Sequence, residues 1–205
     1  MKILIIGTSR SGTTSLRRGI REQGYYTIGE PFNELVTGNR EHPLKEISEY
    51  ENICVKTLCD QVPKNLDSSF LDFITMFSKE FDKVILLDRK NFIEHHKSFV
   101  HMHWRLSRNE SVHQSWEPSI IPEDFEKNHN FHCRHKHLDL QKEQIGEISE
   151  LLNVPITWYE DLYGNDRVTS LEIISNWNID SIEPSELNKY LDPKFKLKKT
   201  QKKLL

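Results

Sequence analysis

The chain contains no alanine, has three cysteines, and holds no apolar run near the ~18 residues that a membrane-spanning helix needs. The missing alanine, beside plentiful Lys, Asn and Ile, is the mark of an AT-rich coding sequence and constrains no chemistry. The cysteines, Cys54, Cys59 and Cys133, stand at no zinc-ribbon spacing, and their odd number argues for reduced thiols rather than a disulfide framework. Residues 1–7 are too short for a signal-peptide core, so the expected location is the cytoplasm, with no membrane span. Neither charge is in large excess: a net charge of -3 gives no support for a nucleic-acid binder working by bulk electrostatics. The local exception is the basic tail 194–205, "KFKLKKTQKKLL", which reads as a solvated terminus or as a contact for an anionic ligand or surface.

What is present suits a globular protein. With 36% hydrophobic and 29% charged residues, 205 residues suffice for one sizeable core and are short for two, so 1–205 is read as a single domain. Short apolar runs at 2–7, 52–57, 83–88 and 154–159 read as strands buried on both faces. Helical patterns fall at about 13–24, 68–81, 91–107, 138–152 and 167–177. Strands separated by helices predict βαβ units: a three-layer α/β/α fold around a mostly parallel sheet of four to five strands. The stretch 108–137 has little periodicity and two prolines, and is read as an irregular segment on the substrate side. Ligands of such folds bind at the carboxyl ends of the strands, which draws attention to the loops after Ile6, Lys56, Leu87 and Trp158.

The first of those loops is "GTSRSGTT", 7–14. Its glycines, Gly7 and Gly12, stand as in G-x-x-x-x-G-K-[ST], but Thr13 occupies the lysine position of a nucleotide triphosphatase. Backbone N–H groups in such a turn and the N-terminus of the following helix form an anion site. The Thr13 and Thr14 hydroxyls add donors, and Arg10 adds a planar cation suited to phosphate or sulfate oxygens. Without the lysine, and with Arg89 and Lys90 directly after Asp88 where a magnesium ligand would be sought, the site reads as cationic and metal-free.

These residues carry a resemblance. "SRSGTT" resembles the 5′-phosphosulfate loop of sulfotransferases that use 3′-phosphoadenosine-5′-phosphosulfate (PAPS), with Ser9 in place of a proline. "DRKNFIEHHKSF" resembles that family's second signature, in which an Arg and a later Ser grip the 3′-phosphate; here they are Arg89 and Ser98, with Lys90 the alternative one register off. "ICVKTL" is similar to the family strand that ends in Val-Lys-Thr, which puts Lys56 near the sulfuryl group. "ITWYEDLYGN" is similar to a Tyr-Glu-Asp-Leu segment, which puts Tyr159 near the adenine and gives Glu160 and Asp161 a capping role. The resemblance spans Lys2 to about Asn178 and implies a P-loop-like sulfotransferase fold. The implied activity is transfer of a sulfuryl group from PAPS to a hydroxyl of a carbohydrate or other small alcohol, without a metal. It implies Ser9, Arg10, Ser11, Gly12, Thr13, Thr14, Arg89, Ser98 and Tyr159 as cosubstrate-binding residues, and Arg10 and Lys56 as catalytic ones.

The base is left open. Where the cytosolic branch of the family carries a catalytic His, two residues after the Lys, this chain has Leu58. "IGEPFNEL" resembles the Gly-Glu-Pro segment of carbohydrate and bacterial members, in some of which a carboxylate acts as base, and this makes Glu30 and Glu34 candidates. His95, His96, His101 and His103 are rivals by chemistry alone. The cluster His129, His132, Cys133, His135 and His137 holds metal-ligand residue types at no zinc spacing, and reads rather as a polar surface. Two other functions stay in view: a nucleotide or nucleoside kinase with a degenerate loop, and a non-catalytic anion-binding module.

Overall fold

The computed structural model describes residues 1–33, 43–61, 69–108 and 129–191, with backbone alone for 43–44 and 129–136. Glu34, the segment 109–128 and the tail 194–205 lie outside the described residues. Five strands form the sheet: β1 (Lys2–Gly7), β2 (Tyr26–Gly29), β3 (Ile53–Leu58), β4 (Lys83–Asp88) and β5 (Ile156–Trp158). They run in the order β2-β3-β1-β4-β5, and every pairing is parallel. Among the described residues, no helix is long and apolar enough to cross a membrane.

Helices cover both faces because both faces are apolar. In β1, Ile3 and Ile5 point to one side and Leu4 and Ile6 to the other, all fully buried. The first side packs on α1 (Thr13–Glu22), α6 (Tyr159–Tyr163), α7 (Arg167–Trp177) and α8 (Pro184–Leu191), through Leu16, Ile20, Tyr163, Trp177 and Leu187. The second packs on α2 (Pro43–Glu49), α3 (Phe70–Ser78) and α5 (His129–Leu152), through Ile47, Phe73, Phe77, Ile145 and Ile148. There Phe32, Phe73, Phe77 and Phe81 interlock at centroid distances of 5.0–5.3 Å. Removing one such ring from a filled core costs about 3–5 kcal/mol. The last helix, α4 (Phe92–Ser107), rises from the carboxyl end of β4.

The α/β/α layering matches the sequence expectation, with several differences. β2 was not foreseen: it is four residues long, lies at the sheet edge, and buries only Ile28 fully, too little to show a period. The short helices α2 and α8 were also missed. The strand expected over 154–159 is only Ile156–Trp158, because Ser149 takes both polar backbone groups of Val154 and Tyr159 already starts α6. The irregular stretch expected over 108–137 is shorter, since 129–137 belongs to α5.

This topology fixes where a ligand can enter. β1 is central; β3 flanks it on one side and β4 on the other. The chain leaves β1 through α1 on one face and leaves β4 toward α5 on the other, so the crevice opens above the carboxyl ends of β1 and β4.

Candidate functional site

Each segment singled out in the sequence, as far as it is described, converges on that rim. Gly7 ends β1 and lets the loop fold back over it: a Cβ there would stand 2.5 Å from Thr13 Cγ2 and 2.8 Å from the Leu87 carbonyl oxygen. Gly12, at φ 89°, adopts a left-handed conformation, and a Cβ would meet the Tyr163 ring at 2.6 Å. Between them Arg10 also sits at φ 68°, a conformation that a non-glycine residue holds only when its surroundings impose it.

Those surroundings form a scaffold of hydrogen bonds. The Thr8 hydroxyl donates to Asp88 Oδ1 (2.7 Å), and the Ser9 N–H donates to Gln141 Oε1 (2.7 Å). His95 Nε2–H donates to the Ser9 carbonyl (2.5 Å), and the Tyr163 hydroxyl donates to the Gly12 carbonyl (2.7 Å). The Ser11 hydroxyl turns back to the Thr8 carbonyl (2.8 Å). Ser9 and Ser11 therefore shape the loop. The N–H groups of Arg10, Gly12, Thr13 and Thr14 have no acceptor among the described residues. Ser69, Asn91 and Asp166 cap the helices they precede with their own side chains, whereas α1 begins at Gly12 with no side-chain cap. Unpaired N–H groups at an uncapped helix start form a concave donor site for an anion.

The cations close around it. Arg10 Nε donates to Ser98 Oγ (3.2 Å), joining the loop to the buried face of α4. Arg10 has no carboxylate partner among the described residues. Burial lowers its pKa first, the nearby Arg89 and Arg105 lower it further, and only Tyr159 opposes them. Arg89 lies over the Tyr159 ring, 4.2 Å from its centroid, and Tyr159 in turn stacks on Tyr163 at 4.7 Å. Tyr159, expected near an adenine, thus also supports Arg89. Glu160 lies 3.8 Å from Arg89, but its shorter bonds go to the N–H groups of Lys90 (2.8 Å) and Asn91 (3.1 Å), so it caps the start of α4 rather than its own helix. Lys90 is exposed and pairs with Asp161, which leaves Arg89 as the residue in register with Arg10 and Ser98.

Asp88 is buried with both oxygens engaged, by Thr8 and by Lys142 Nζ (2.8 Å). His95 is fully buried, with Nδ1 3.7 Å from Asp88; burial drives its pKa down to about 4, so it is a neutral anchor of the loop. Of its rivals, His101 lies near Arg105 and Arg10, and burial and then those cations lower its pKa.

On the β3 side, register brings Gly29 opposite Lys56, and the next residue, Glu30, forms an ion pair with Lys56 Nζ. Lys56 is almost wholly buried. Glu30, at φ 52°, also accepts from Asn33 Nδ2 (2.7 Å) and Gln61 Nε2 (3.0 Å). Burial pushes the Glu30 carboxyl up, but the Lys56 charge and these hydrogen bonds outweigh it and hold the pKa at about 2. Burial lowers the Lys56 pKa, against the pull of Glu30. Arg17, on α1, adds a second cation beside the pair. The two residues named separately in the sequence thus form one unit, in which the carboxylate is too weakly basic to take a proton while Lys56 holds it.

Sequence reasoning missed Gln141, Lys142 and Arg105, and it did not connect Asp60 with His137, which stand 2.5 Å apart. Arg105 had a signal: Ser98, His101 and Arg105 share one face of α4 by helical spacing. Gln141 and Lys142 had none, since they act across 132 and 54 residues. Among the described residues, no group of three or more His, Cys, Asp or Glu side chains stands together to hold a metal ion. The side chains of His129, His132, Cys133 and His135 lie outside that description. Comparison with protein-family models and with curated proteins returns no match.

Proposed function

We propose that the protein is a cytoplasmic sulfotransferase that moves a sulfuryl group from PAPS to a hydroxyl of a carbohydrate or other small alcohol and releases 3′-phosphoadenosine-5′-phosphate. The observation that carries this reading is the Arg10–Ser98 contact. It joins a loop with four N–H groups that have no acceptor among the described residues to a second cationic position, Arg89 and Ser98, so that two separate phosphate groups can be held across the β1–β4 crevice.

Sulfuryl transfer, like phosphoryl transfer, proceeds in line through a loose transition state, and charge collects on the leaving phosphate oxygen. The loop amides and Arg10 stand where that charge would develop. Because the scaffold fixes them beforehand, they need no reorganisation during reaction. With the nucleotide on the β4 side, the sulfuryl end faces β3. Lys56, which stays paired with Glu30, can then turn its remaining N–H donors toward the bridging oxygen. Engagement of both Asp88 oxygens by Thr8 and Lys142 runs against the kinase alternative, which would need that carboxylate for magnesium.

The test is thermal melting with the bisphosphate product, with AMP and with ATP-Mg, followed by a transfer assay from labelled PAPS to a panel of sugars and alcohols. A ligand bound to the native state raises the melting temperature by mass action. A large shift with the bisphosphate, a smaller one with AMP and label on an alcohol are expected; a shift with ATP-Mg alone overturns the reading.

A further inference from the structure

We propose that His137, held by Asp60, is the general base that takes the acceptor's proton. The inference rests on the sulfotransferase reading and fills the place left open by Leu58. Of the other candidate bases, Glu30 is committed to Lys56, Gln61 and Asn33 and His95 to the Ser9 carbonyl, while His101 lies beside Arg10 and Arg105 on the cationic β4 half.

Position argues for His137. Helix α5 lies against the ends of both β1 and β3: Gln141 Oε1 takes the Ser9 N–H, and the Gln141 carbonyl accepts from Cys59 Sγ (3.2 Å). His137 is one turn earlier on the same face, about 6 Å along the helix axis. Its Nε2–H donates to Asp60 Oδ2 (2.5 Å), which fixes the tautomer and leaves Nδ1 as the ring nitrogen with a lone pair. The His137 side chain is 51% exposed and that of Asp60 only 19%, so an accessible imidazole is backed by a sheltered carboxylate. Asp60 also sits next to Gln61, which reaches Glu30, so the dyad borders the β3 half of the rim where the sulfuryl end is read to face. Among the described side chains, Asp60 is the charged group that acts on His137, and its bond raises the imidazole pKa; Lys56, behind it in β3, also feels Asp60.

The step balances. As the acceptor oxygen bonds to sulfur, its proton passes to His137 Nδ1. The bond from sulfur to the 5′-phosphate oxygen breaks, and its electron pair leaves on that oxygen. The imidazolium, paired with Asp60, then loses the proton to water.

The experiment compares the wild type with His137→Ala and Asp60→Asn by bisphosphate melting shift, transfer rate against pH, and NMR titration of the His137 ring. His137→Ala is expected to keep the bisphosphate shift, lose about 100-fold or more in rate, and regain part of it with added imidazole. The wild-type acid limb is expected to follow the NMR titration at a pKa above the ordinary histidine value, and Asp60→Asn to move both downward together. A His137→Ala rate within threefold of wild type, or a limb that Asp60→Asn leaves in place, overturns the base role alone. A wild type that neither binds the bisphosphate nor transfers sulfuryl overturns the parent reading and the base role with it.

Discussion

The two halves of the sheet's carboxyl rim are built on opposite electrostatic plans. On the β3 half, cations meet carboxylates: Lys56 pairs with Glu30, with Arg17 beside them, and His137 with Asp60. On the β4 half, Arg10 is drawn in beside Arg89 and Arg105 with no carboxylate of its own among the described residues, next to four N–H groups without acceptors. A buried pair is satisfied by the fold itself. A half-buried cation among cations, held at a positive φ, has no such partner among the described residues. On the proposed reading, the β4 half is where an anion binds and the β3 half is where protons and orientation are managed.

The sharpest break of this contrast is at Lys56. Lys56→Ala leaves the Glu30 carboxylate without its ion-pair partner, and stability should fall by about 3 kcal/mol, the lower end for breaking a buried pair, since Glu30 keeps 22% exposure and two amide donors. Denaturant unfolding measures it; a loss below about 1 kcal/mol removes the matched-pair picture. On the other half, Arg89→Ala should weaken bisphosphate binding by about 10- to 100-fold and 5′-AMP binding much less, by loss of a charge-assisted hydrogen bond. Equal losses for both ligands in calorimetry would refute the assignment of Arg89 to the 3′-phosphate. Gln141→Leu, which orphans the buried Ser9 N–H, should cost about 1–2 kcal/mol of stability by denaturant unfolding and loosen the loop.

The remaining effect is on pH. His95 stays neutral in the fold to about pH 4 whereas the unfolded chain binds its proton below about 6.5, so its contribution to stability is lost as pH falls across that window. Glu30, at about 2 in the fold, contributes stability that is present above its unfolded pKa near 4.5 and is lost as pH falls toward 2. A melting-temperature profile should show both slopes, and His95→Asn should flatten the upper one.

How much was legible in the sequence follows from the range of each interaction. The loop could be read because Gly7, Arg10 and Gly12 state their chemistry within a few residues, and the buried strands because apolar runs are local. β2 could not, being short and at an edge. Lys56 and Glu30 were each singled out, but their pairing depends on the β2–β3 register, which no local pattern encodes. Gln141, Lys142 and the Asp60–His137 bond were invisible for the same reason: α5 meets β1, β3 and β4 only once the sheet has formed.

The claim that Arg10 is kept for an anion is tested most directly by melting Arg10→Met with and without 3′-phosphoadenosine-5′-phosphate. The substitution keeps the apolar stem and removes the charge. The ligand-free protein should melt at or above the wild-type temperature, because a repelled, half-buried cation is gone, while the shift caused by the bisphosphate should nearly vanish. A lower ligand-free melting temperature with the bisphosphate shift intact would show that Arg10 serves the fold and not a ligand.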